Sequence, residues 1–224
     1  MNNFFKSVVA IFSMLLAFTS CNNSDQSNSK SGALAGNVAE KVYVAPGEHD
    51  EFYAFISGGF SGQLSVYGLP SGRLFKVIPV FSQDAEKAYG YNEETKPMLN
   101  TSHGFVPWDD AHHPDISQTN GVIDGRWVFI NGNNTPRIAK IDLSTFETTE
   151  IIEVPNSAGN HSSSFVTENS EYVVAGTRFS VPIPQKDMPI KDYKGNFKGS
   201  LSFISIEPEH GHMDIKFQLI MPGF

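Results

Sequence analysis

The chain has 224 residues, enough for one sizeable core or two small ones. Its 40% hydrophobic and 18% charged residues fit a globular protein and exclude a disordered one. A net charge of −8, with 16 scattered Lys and Arg, argues against nucleic acid as a partner, because neutralising phosphates takes clustered cations. Phe (18) and Gly (19) are both frequent, which points to short β-strands with many turns.

Residues 1–20 read as an export signal. Lys6 gives a weak positive start, and residues 8–18 form a short apolar run broken only by Ser13. That run is too short to cross a bilayer as a helix. Thr19 and Ser20 precede Cys21, the one cysteine, and polar residues follow it. The arrangement resembles a bacterial lipoprotein signal, in which the cysteine is lipidated, although Phe18 stands where Leu is usual. Ordinary cleavage and a retained anchor are the alternatives. No arginine pair precedes the apolar run, so export by the general route is expected, with the chain unfolded and any metal added outside the cytoplasm. Residues 21–40 are small, polar and non-periodic, and read as a flexible tether. Beyond Cys21 there is no cysteine, hence no disulfide and no thiolate metal site.

From residue 41 onward the pattern is β. Residues 51–57 (EFYAFIS), 63–67 (QLSVY) and 73–81 (RLFKVIPVF) predict a three-stranded meander with Gly- and Pro-rich turns. The same phrase returns at 126–131, 137–143 and 148–155, and again at 172–177, 201–206 and 215–222. Three copies of one small meander predict an all-β chain of propeller blades spanning 41–224. An antiparallel sandwich is the alternative. Propellers close with four to eight blades. Three blades do not close, so the expectation is an incomplete piece of a longer chain, or one that assembles with others.

The chemistry concentrates at Asp109-Asp110-Ala111-His112-His113-Pro114, predicted as a loop before the second copy and facing the hub. Imidazoles suit copper, zinc, iron or nickel. Adjacent histidines on extended backbone point to opposite sides, so one ion would rarely take both. Asp109 and Asp110 are placed to accept from the free ring N–H groups, and Asp110 serves equally well as a turn residue. By itself such a histidine pair most often marks a surface loop.

The longer string is more specific. DDAHHPxxSxTxG followed by xDGRxxFIN (109–131), the phrase IIEVPN…NH…FVT (151–167) and GGFSGQLSVYGLPSGRLFKVIPVF (58–81) resemble nitrous oxide reductases. The resemblance runs from about residue 43 to 224. It implies a seven-bladed N-terminal propeller, of which about three blades are here, and a C-terminal cupredoxin domain, which is not. It implies a four-copper sulfide cluster held by seven histidines, with His112, His113 and His161 as the ligands this chain supplies. It also implies a homodimer, reduction of N2O to N2 and water, and a cytochrome or similar electron donor in the periplasm. The dicopper electron-entry site, with its Cys-x-x-x-Cys motif, is absent, since no cysteine follows Cys21.

The remaining histidines carry less. His103 stands near the motif as a supporting or plain loop residue, His210 and His212 read as surface residues of a hairpin turn, and His49 as a solvated turn residue. No phosphate-binding glycine loop and no G-x-S-x-G elbow is present, and the carboxylates are dispersed. Two other functions stay open at this point: a non-catalytic exported binding propeller, and a hydrolytic propeller using another metal.

Overall fold

The computed structural model describes residues 38–161 and 164–222. The expected signal, most of the tether and Cys21 lie outside these residues. The last tether residues, from Val38, belong to a single helical turn, Val38–Lys41. No helix among the described residues is long and apolar enough to cross a membrane.

The chain is all-β and antiparallel. The first sheet is a meander of β1 (Phe52–Ser57), β2 (Gln63–Leu69) and β3 (Leu74–Pro79). A two-stranded ribbon follows, β4 (Asn100–Thr101) and β5 (Gly104–Phe105). The second sheet runs in chain order through β6 (Ala111–Thr119), β7 (Val122–Gly132), β8 (Arg137–Asp142) and β9 (Glu147–Glu153). The third is built from β10 (Ser164–Val166), β11 (Tyr172–Gly176), β13 (Phe197–Ile206) and β14 (Met213–Pro222). The short β12 (Val181–Pro182) also pairs with β13.

Side-chain alternation along β7 explains the layering. Val128 and Ile130 pack with Leu64, Val66 and Ile78 of the first sheet. Trp127 and Phe129, on the opposite face, pack with Val166, Val173 and Ile204 of the third. The second sheet is therefore apolar on both faces, which is why its strands show little in/out alternation. Each fully buried Val, Ile, Leu or Phe side chain contributes about 1.5–3 kcal/mol. The outer sheets each keep an uncovered side, with Phe52, Ile56 and Leu74 exposed on the first and Phe217 and Leu219 on the third.

The three expected copies correspond to the three sheets, stacked in order, and the sheets do not close into a ring. Two expectations need correction. The segment carrying His112 and His113 is a strand, β6, rather than a loop: it pairs with β7 from Ala111↔Gly132 to Thr119↔Val122. Its Pro114 and polar residues hid it, and the ladder takes them up through register shifts between His112 and Asp115 and between Ile116 and Gln118. The third copy also gains two strands, β10 and β12, beyond the three expected.

Candidate metal centre

The site is built on a buried loop anchor. Arg137 and Asp109 are both fully buried. Arg137 donates to Thr135 Oγ1 at 2.7 Å and to the Val106 carbonyl at 3.0 Å. Asp109 accepts from the backbone N–H groups of Asn134 and Thr135, both at 2.9 Å, and from the Thr135 hydroxyl. Its carboxylate is thus committed to the 133–135 turn and to a nearby guanidinium, 3.7 Å away. The expectation that Asp109 supports a histidine is corrected: those contacts leave it no role at an imidazole.

Asp110 is the carboxylate that lies beside a histidine. Its Oδ2 accepts from Asn133 Nδ2 at 2.9 Å, and its Oδ1 lies 2.9 Å from His112 Nε2. That second approach misses hydrogen-bond alignment, so Oδ1 keeps no hydrogen-bond donor.

His112 and His113 do not point apart. His113 has a φ of +48°, in the left-handed region, and the β6–β7 pairing slips at that point. The local twist brings its ring back beside that of His112, with centroids 5.6 Å apart. The alternation argument fails because it assumed regular extended backbone.

His161 arrives from the connection between β9 and β10. Gly159, at φ +120°, passes so close to the Asn133 carbonyl oxygen that a Cβ would collide with it. Asn160 N–H then donates to the Gly132 carbonyl at 3.1 Å. On the far side, Val166 N–H donates to Asp115 Oδ2 at 2.8 Å, fastening β10 to β6. The His161 ring lies 4.8 Å from that of His112 and 4.9 Å from that of His113, centroid to centroid. One nitrogen from each of the three falls within 4.8 Å of the others. Partial burial, then the neighbouring histidines and Arg178, push the His161 imidazole below its ordinary pKa, which favours the neutral, ligating form.

His103 is elsewhere: it is exposed in the β4–β5 turn and lines a groove of about 530 Å³ with Glu153 and Ser157, whose walls include none of the three histidines. His210 and His212 sit in the β13–β14 hairpin, exposed; His210 clusters with Glu207 and Glu209, and His212 Nδ1 lies 2.7 Å from Glu150 Oε1. His49 is also exposed. The sequence reading missed Arg178 and Asn133. Arg178 donates to Asn133 Oδ1 at 2.6 Å, and Asn133 in turn holds Asp110. The only sequence signal for them was the polar turn Gly132-Asn133-Asn134 closing β7.

No family model matches the chain. It is 36% identical to the nitrous-oxide reductase of Pseudomonas fluorescens over 85% of its own length and 29% of that protein's. It is 34% identical to that of Stutzerimonas stutzeri, covering 82% of the chain and 28% of the relative. It is 32% identical to that of Cupriavidus necator, covering 86% and 30%. Among solved structures, Kuenenia stuttgartiensis hydrazine synthase superposes with a TM-score of 0.46 at 15% identity, over 76% of this chain and 34% of that one, too loosely to carry an argument. The chain thus resembles one stretch of the nitrous-oxide reductases, spanning about 29% of their length.

Proposed function

We propose that His112, His113 and His161 are copper ligands and that the chain forms part of the cluster-binding propeller of a nitrous-oxide reductase. The convergence of three imidazoles from two separate segments carries this reading. The donor set fits the metal: neutral nitrogen ligands, no thiolate, and a carboxylate beside one ring suit copper or another borderline ion. Two nitrogens on one ion stand at most about 4.2 Å apart at ~2.1 Å per bond. A span reaching 4.8 Å therefore suits a small closure onto one ion, or several ions shared among more histidines.

Copper held here would supply the redox chemistry that turns N2O, two electrons and two protons into N2 and water. The role of this chain's residues is to hold and orient. β6 and β7 fix His112 and His113, Gly159 and Asn160 deliver His161, and Asp110 lies against the ring of His112. The four-copper sulfide cluster needs four further histidines, and electron entry needs a dicopper site; this reading places both in other blades and a cupredoxin domain. It extends to N2O as substrate, a cytochrome or similar donor, a homodimer, and export to the periplasm with Cys21 lipidated. Palmitate labelling that survives Cys21→Ala would remove the lipid anchor from it.

The direct test is anaerobic cuprous titration of the chain against a competing chelator. His112→Ala and His161→Ala should each weaken binding by about tenfold or more. Equal copper affinity in the parent chain and both variants would sink the proposal.

A further inference from the structure

The apolar layer between the second and third sheets changes character as it nears the three histidines. Along β7, alternate residues Trp127, Phe129 and Asn131 share one face. The first two belong to the apolar core, and Asn131 is fully buried beyond them. Along β10 the same change runs from Val166, in that core, to Ser164, fully buried. Asn160, also fully buried, is tied to the end of β7 by its bond to Gly132. Aliphatic side chains would fill such a layer at no polar cost.

These residues have hydrogen-bonding groups to spare. Among the described residues, five buried side-chain atoms lack a protein partner: Oδ1 and Nδ2 of Asn131, Nδ2 of Asn160, Oγ of Ser164 and Oδ1 of Asp110. Each belongs to a residue joined to one of the histidines by the chain, by the ladder or by direct contact. Asn131 is paired with His112 across the β6–β7 ladder. Asp110 contacts His112, Asn160 directly precedes His161, and Ser164 opens the strand that follows it. An unpaired buried polar group costs about 1–3 kcal/mol. Native folds carry few of them, and among the described residues the other buried side-chain groups are paired. Five on the segments that carry the histidines call for a common explanation.

The donor set states the ligand. Two amide nitrogens donate, two oxygens accept, and the serine hydroxyl does either. A cation asks for acceptors and an anion for donors; a small neutral molecule with both is water. Each buried water takes about 2–4 partners, so five atoms suit about two waters.

We propose that Asn131, Asn160, Ser164 and Asp110 hold buried water beside the histidine-bearing segments. It gives the trio a wet wall inside an otherwise apolar layer. The site stands without the metal reading; only its service to a metal-bound ligand rests on it.

Oxygen-17 relaxation dispersion of the metal-free chain counts long-lived internal waters. Asn131→Leu, alike in branching but larger and apolar, should lose at least one, and Ser164→Ala should reduce the dispersion further or alone. Dispersion unchanged in both variants overturns the proposal, as does a raised Tm in Asn131→Leu with no water lost, which would mark the amide as a dry orphan. Should Asn131→Leu fail to fold by circular dichroism, Ser164→Ala decides the matter. Copper titration of the same proteins keeps the readings apart: internal water in a parent chain that binds no copper upholds the water site and ends the metal reading.

Discussion

Asp110 touches His112 with one carboxylate oxygen, at 2.9 Å from Nε2, and holds Asn133 with the other. Two residues apart in sequence, they form the one carboxylate–imidazole contact of the trio among the described residues. Asp110→Asn should therefore lower copper affinity by about 10–100-fold through loss of charge beside the ring. Chelator competition measures it. An affinity matching the parent would make Asp110 a turn anchor and nothing more.

His113 pays for its convergence with a left-handed backbone, which costs a non-glycine residue about 1–2 kcal/mol. His113→Gly removes both the ligand and the strain. We expect a Tm equal to or above that of the parent together with weakened copper binding. A fall in Tm would show that the ring stabilises the fold through contacts of its own.

Gly159 is the point where the backbone squeezes past Asn133 to present His161. Gly159→Ala should destabilise the chain by about 1–3 kcal/mol, from strain at φ +120° and the collision with the Asn133 carbonyl. It should also weaken copper binding, although the substituted residue bears no ligand. Urea unfolding and copper titration of the same sample separate the two effects. Undiminished stability would mean that the turn relaxes freely.

Asp124 gives a pH signature away from the three histidines. Burial alone would raise its pKa, but hydrogen bonds from Arg126, Ser117 and Thr119 outweigh it and bring the group to about 2. The unfolded value is near 3.8, so the folded value is depressed. Its stabilisation is present above about pH 4 and is lost as pH falls from there toward 2. The contribution is roughly 1–2 kcal/mol after allowance for partial exposure. Asp124→Asn should be less stable at neutral pH and should show a flatter acid limb in urea midpoints measured from pH 6 to 2. Parallel limbs in the two proteins would contradict this.

Much of the fold was legible because the strands repeat a phrase. Residues 63–67, 126–131 and 172–177 each carry a dense β-branched and apolar run, and each became a strand of its own sheet. β6 was not legible, since a proline and two histidines break its pattern and only a slipped ladder accommodates them. The histidines of the site could be named from the motif and its resemblance. Their convergence could not, because it depends on one positive φ at His113 and on the close passage at Gly159. Nor does sequence separate Asp109 from Asp110. Adjacent carboxylates took opposite roles once Arg137 was buried beside the first.

The double-faced packing of the second sheet has a consequence in time. β7 has neighbours on both edges and side chains locked on both faces, whereas the outer sheets each have an open flank. Its central amides should exchange with solvent only when the whole domain opens, while those of β1 and β14 exchange through local fraying. His112 is laddered directly to β7, at Asn131, so the slowest-opening strand is the one that anchors the trio. Two of the three imidazoles are then held in place through fluctuations that undo the edges of the protein.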